Sequence, residues 1–104
     1  MQTRILGRSG HCSSVAIFCA YAIGELLQSD ADAVMERVVA AGVNHVDGAP
    51  SYAQAEQRLG DWLQRNRAHN FFIGCKAQLR TQVEAAAELR HTLRYLHQIG
   101  RAHV

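Results

Sequence analysis

Apolar positions along this chain recur at two different spacings, and the alternation between them repeats. Thr3 to Leu6 reads as one arm of a hairpin, with a turn at Arg8-Ser9-Gly10 and a return through His11 to Ser13, placing the hairpin over 3–13. Val15 to Tyr21 is an unbroken apolar run and predicts a strand buried on both faces. Ser29-Asp30-Ala31-Asp32 then reads as an N-cap with acidic residues in a first helical turn. Ala31, Val34, Met35 and Val38 follow at helical spacing, and Gly42 supplies the stop.

The same order comes round twice more. Asn44 to Asp47 predicts a short strand, and Ala55, Leu59, Trp62 and Leu63 form the apolar stripe of a second helix. Phe71 to Lys76 predicts a third strand, and Ala86, Leu89, Leu93 and Leu96 the stripe of a third helix. Arg101 to Val104 reads as the opening of a fourth strand. The βα units therefore span approximately 15–41, 44–66 and 71–97, a repeat of about thirty residues. Strands separated by helices run parallel, with right-handed crossovers. The expected class is α/β, a single domain over 1–104. Such units close into a TIM barrel only with eight of them and about 250 residues. The expectation is an N-terminal hairpin followed by the first βα units of a barrel truncated at its fourth strand, or else a compact open sheet. Either way two strand edges stay unpaired, which invites self-association.

Composition narrows the function classes. The 104 residues carry a net charge of +2, with arginines scattered from Arg4 to Arg101, so no nucleic-acid footprint is indicated. Arg65 and Arg67 read as the solvated end of a helix. Cys12, Cys19 and Cys75 form no C-x-x-C spacing, and six histidines, His91 and His97 among them, give no ligand pattern. No metal site is expected. Neither a signal peptide nor a run of transmembrane length is present, so no membrane partner is expected and a cytoplasmic location is the default.

Candidate chemistry comes from where polar residues end the apolar runs. Lys76, the only lysine, closes the third strand, Asp47 closes the second, and Tyr52 follows in the loop beyond the only proline, Pro50. Each has a plain structural reading: Asp47-Gly48 is a turn dipeptide, Lys76 a solvated strand end, Tyr52 a packing residue. Together they sit where parallel α/β proteins bind ligands, at the carboxyl ends of neighbouring strands. A free phenol titrates near about 10 and is a weak acid. An ammonium beside it stabilises the phenolate, and a carboxylate keeps that ammonium charged. A phenol so placed can protonate a carbonyl oxygen while a cofactor delivers hydride to the carbon.

The run Asn44-His45-Val46-Asp47-Gly48-Ala49-Pro50-Ser51-Tyr52, followed by Ala55-Glu56-Gln57-Arg58-Leu59-Gly60, resembles the signature of the aldo-keto reductases. Arg4-Ile5-Leu6-Gly7-Arg8-Ser9-Gly10 is similar to that family's hairpin at the barrel bottom, and Phe72-Ile73-Gly74-Cys75-Lys76 to its third strand. The resemblance implies a TIM barrel that reduces aldehydes or ketones with NADPH, or with NADH. It implies Tyr52 as general acid, Lys76 as the group that activates it, and Asp47 as partner of the lysine and contact to the nicotinamide ribose. Cys19, Ala20 and Tyr21 align with the loop that lines the cofactor and substrate cleft. The chain departs from the pattern at Cys19-Ala20, where the family usually has Gly-Thr, and at Gly48, where it has Thr or Ser. His103 aligns with the start of the fourth strand, ahead of the family's catalytic histidine, so it does not take that role. The 104 residues alone are expected to be nearly inactive. The rival readings are a non-catalytic nicotinamide-binding regulatory subunit and a truncated product without independent function.

Overall fold

A computed structural model of the chain describes residues 1–77 and 79–96. The fourth strand expected at 101–104, and His97, fall outside them. Two strands, β1 (Thr3–Ile5) and β2 (Cys12–Ser14), pair antiparallel through a 3-10 turn at Gly7–Ser9. A second, three-stranded sheet follows, built from β3 (Phe18–Cys19), β4 (His45–Asp47) and β5 (Phe72–Gly74). It runs parallel throughout in the order β3-β4-β5. Helices α1 (Gln28–Ala40), α2 (Ala55–Arg65) and α3 (Gln82–Tyr95) lie between or after the strands. The fold is α/β with open sheets, and β4 is the strand flanked on both sides.

The core collects where α1 and α2 meet the back of β4. Ile23, Met35, Val46, Leu59 and Trp62 are essentially solvent-free, each contributing on the order of 1.5–3 kcal/mol of transfer free energy. The apolar stripe of α2 lands as its spacing requires, with Ala55, Leu59, Trp62 and Leu63 all buried. The Trp62 ring meets Phe71 edge-on, and its Nε1 donates to Glu36 Oε1 at 3.1 Å. Along α1, Ala31, Met35 and Val38 are buried and Val34 packs against them. Gly42 ends that helix with φ 82°, where its N–H donates to Val39 and that of Val43 to Val38. This is the two-bond closure that a left-handed residue permits.

Three expectations fail, each for a packing reason. The run Val15 to Tyr21 is not a strand buried on both faces: only Phe18 and Cys19 pair, and Val15, Ile17 and Tyr21 are 51%, 52% and 66% exposed. Among the described residues β3 is an edge strand with β4 alone beside it and no strand on its outer flank. The run bends instead into a 3-10 turn over Ala20–Ile23, which buries Ala20 and Ile23. Ser29 does not cap α1: the N-cap position falls two residues earlier, at Leu27, and the helix begins at Gln28. Its first turn is tied down by Gln28, whose amide donates to Asp32 and to the Arg58 carbonyl of α2. In α3 the stripe is only half used: Ala86, Leu89 and Leu93 are partly exposed, while Thr92 and Leu96 are buried.

Candidate active site

Asp47 and Lys76 reach one rim because of strand register. Asp47 pairs with Gly74 across the β4–β5 ladder, and Lys76 lies two residues beyond the end of β5, close enough for its ammonium to reach the Asp47 carboxylate. The ladder is prolonged by the Gly48 N–H, which donates to the Gly74 carbonyl at 2.9 Å. Gly74 carries no side chain between them, and a methyl there would stand 3.2 Å from Asp47 Oδ1. The carboxylate can therefore lean across towards the ammonium.

Tyr52 is brought in by the loop after β4. Its N–H donates to the Ala49 carbonyl, a tight turn around Pro50, and Ala53 then takes a left-handed φ of 50° before α2 begins. The turn rests on Gly24, whose carbonyl accepts from the Gln54 N–H at 3.1 Å. A methyl built on Gly24 would overlap the Tyr52 carbonyl. Gly24 is thus a positioning residue for the phenol, and sequence reasoning missed it. Its only signal is a glycine placed shortly after the end of the first strand.

The three groups meet. Lys76 Nζ lies 2.7 Å from Asp47 Oδ2, 3.2 Å from Tyr52 Oη and 3.3 Å from the Gly48 carbonyl oxygen. An ammonium has three hydrogens, and here each has an acceptor. The phenol oxygen is an acceptor in this arrangement, so its own hydrogen remains available to another group. The Lys76 ammonium is held charged above its usual range, first by the hydrogen bond to Asp47 and then by that to Tyr52. The pair is accessible, with side-chain exposures of 45% for Lys76 and 39% for Asp47. The Gly48 carbonyl is a further member that the sequence did not single out, because main-chain acceptors leave no residue signature.

The remaining candidates divide. Tyr21 lies on the same rim, its exposed ring edge-on to Tyr52 with centroids 5.4 Å apart. Cys19 is exposed at the end of β3 and pairs in register with Asp47. Ala20 is 1% exposed and belongs to the core, so its methyl is not part of an open cleft. The Cys75 thiol, next to Lys76, is pushed up chiefly by burial. That is the opposite of what a nucleophile at neutral pH needs.

At the other end of β4 the polar groups are spent on structure. The Asn44 side chain accepts from the Ser14 N–H at 2.8 Å and donates to the Cys12 carbonyl, and the Asn44 main-chain N–H donates to Ser14 Oγ. Buried His45 shares a 2.9 Å hydrogen bond with Ser13. These contacts seal the hairpin onto the amino end of the sheet. Among the described residues no three His, Cys, Asp or Glu side chains come together to hold a metal ion, and no helix is long and apolar enough to cross a membrane.

The sequence profile of the aldo/keto reductase family matches residues 19–101. The fold is similar to that of a "putative aldo-keto reductase" from Pseudomonas aeruginosa, with TM-score 0.78 and 24% identity over 91% of this chain. A crystal structure of a "putative aldo-keto reductase" from the same organism gives TM-score 0.82 at 23% identity, also over 91%. The chain spans 41% of the length of each. No curated protein matches. With the profile covering most of its length, the chain belongs to the aldo/keto reductase family.

Proposed function

We propose that Asp47, Tyr52 and Lys76 form the proton-transfer part of a site that reduces aldehydes or ketones to alcohols with NADPH, or with NADH. The observation that carries this reading is the contact of one ammonium with both the carboxylate and the phenol at the carboxyl rim. Tyr52 Oη donates its proton to the carbonyl oxygen as that oxygen gains charge, and Lys76 Nζ stabilises the phenolate left behind. Asp47 holds the lysine charged and pointed at the phenol. Solvent returns the proton to Tyr52 after the alcohol leaves.

The residues present fit part of a nicotinamide dinucleotide. Asp47 engages Lys76 through Oδ2, and among the described residues Oδ1 has no hydrogen-bond partner, which suits a ribose hydroxyl. The exposed ring of Tyr21 offers a flat apolar wall beside the phenol. The dinucleotide, when bound, supplies the hydride that no side chain can. A cradle for its phosphates is not found among the described residues, so turnover is proposed for a complete barrel that includes these strands. The 104-residue chain alone is expected to be nearly inactive.

The test is aldehyde-dependent NADPH oxidation by a barrel containing this chain, compared with its Tyr52→Phe and Lys76→Met variants. Loss of turnover in both with native-like thermal unfolding supports the reading. Undiminished turnover in Tyr52→Phe would refute it. Nicotinamide binding that survives Tyr52→Phe, with no turnover in the parent either, would favour a regulatory subunit instead.

A further inference from the structure

Among the described residues Ala53 is the one non-glycine whose φ is positive, at 50°. In the left-handed region a Cβ crowds the following carbonyl oxygen, so alanine is strained there where glycine is not. Such a conformation persists only where the surrounding structure over-determines it. Here it does. Before Ala53, the Tyr52 N–H donates to the Ala49 carbonyl at 3.1 Å, and the Tyr52 carbonyl accepts from the Ala55 N–H at 2.9 Å. After it, the Gln54 N–H donates to the Gly24 carbonyl at 3.1 Å. A Cβ built on Gly24 would stand 3.3 Å from that of Ala53, so the Ala53 methyl lies beside the space that Gly24 leaves open. Ala53 is itself exposed and adds nothing to the core. Burial therefore gives no reason for the strain. What the strained residue sets is the direction of the chain between Tyr52 and α2.

We propose that Ala53 is a positioning residue for the Tyr52 phenol. Its narrow left-handed well fixes the turn that brings Oη to 3.2 Å from Lys76 Nζ. The proposal rests on the reading of Tyr52 as general acid and deepens it. Glycine at this position relieves the strain, but it opens a wide range of backbone angles and removes the methyl beside Gly24. Asparagine keeps a Cβ and still enters the left-handed region. Ala53 acts through the Tyr52 main chain, so its contribution is to geometry and not to proton transfer itself.

Ala53→Gly tests it, because the two expected effects have opposite signs. In the 104-residue chain the urea midpoint should rise by about 0.3–0.8 M. The nuclear Overhauser contact between the Tyr52 ring and the Lys76 side chain should lose intensity. In a barrel containing this chain, kcat for aldehyde reduction should fall about tenfold, inside the hundredfold that a misplacement of roughly 1 Å can cost. KM should stay within about twofold, since the general acid acts in the transition state. Ala53→Asn should restore the ring contact and most of kcat. Tyr52→Phe, assayed alongside, separates the two readings. Undiminished turnover in Tyr52→Phe refutes the general acid and this role with it. An inactive Tyr52→Phe beside a parental kcat in Ala53→Gly overturns the role of Ala53 alone. A midpoint that does not rise, an unchanged ring contact, or equal losses of kcat in the glycine and asparagine variants would each overturn it as well.

Discussion

The two ends of strand β4 use polar residues in opposite ways. At the amino end, Asn44 and His45 are sealed under the hairpin, bonded to Ser13, Ser14 and Cys12. At the carboxyl end, Asp47 meets Lys76 and, through it, Tyr52, all within reach of solvent. Only His45 and Val46 lie between Asn44 and Asp47. A buried polar group must find its partners inside the protein, whereas an exposed one can keep capacity for a ligand. Barrels of parallel α/β architecture put stability at the first end and chemistry at the second, and the placement of polar groups in this chain follows the same division.

The sharpest way to break the comparison is to exchange the outcomes. In a complete barrel containing this chain, Tyr52→Phe should lower aldehyde reduction by about 100- to 10,000-fold, the usual worth of a general acid. Its unfolding free energy should stay within about 0.5 kcal/mol of the parent. An equal loss of stability and turnover in a urea titration and a rate assay would erase the distinction.

Asn44→Ala should do the reverse. It removes the acceptor of the Ser14 N–H and the donor to Cys12, and should cost about 2 kcal/mol, read as a lower urea midpoint. The rim groups should keep their Lys76 contacts.

Gly24→Ala sharpens the boundary, since Gly24 supports the rim without touching the reacting atoms. The added methyl meets main chain that cannot step aside cheaply, for an expected loss of about 1–3 kcal/mol. It should also lower kcat more than a substitution of equal cost at the hairpin. Matched losses at both places would mean that Gly24 acts only through stability.

A smaller effect is expected from pH. The His45 imidazole is held below its ordinary 6.5, chiefly by burial, with His11 adding to the shift and Asp47 opposing it. Between the folded value and 6.5 the unfolded chain binds more protons, so stability should fall as pH drops through that window. His45→Gln should flatten the fall, seen in midpoints measured either side of pH 6.5; an unchanged slope would assign the fall to other groups.

The smallest change is expected at Gly48. A side chain there would meet only the Gly74 carbonyl, at 3.8 Å from Cβ. Gly48→Ser should therefore alter stability by less than about 0.5 kcal/mol. A urea midpoint lowered by more than that would show that the position is tighter than its surroundings indicate.

Periodicity and strand-end residues were enough to place the parallel order, the α2 stripe, Asp47 at the end of β4 and Tyr52 in the loop after it, whereas Lys76, expected to close the third strand, lies two residues past β5, which ends at Gly74. Those features depend on local spacing, which a single chain displays without reference to its neighbours. Other features depend on what a segment packs against. The same apolar run became two residues of strand and a 3-10 turn because β3 has one neighbour. Ala20 went into the core while Tyr21 stayed on the rim. Gly24 and the Gly48 carbonyl gained meaning only when the Tyr52 main chain and the Lys76 ammonium arrived beside them. The sequence by itself determined which residues could carry chemistry and at which strand ends. Tertiary structure alone decided which of them touch, because contact and burial arise between segments that local spacing cannot bring together.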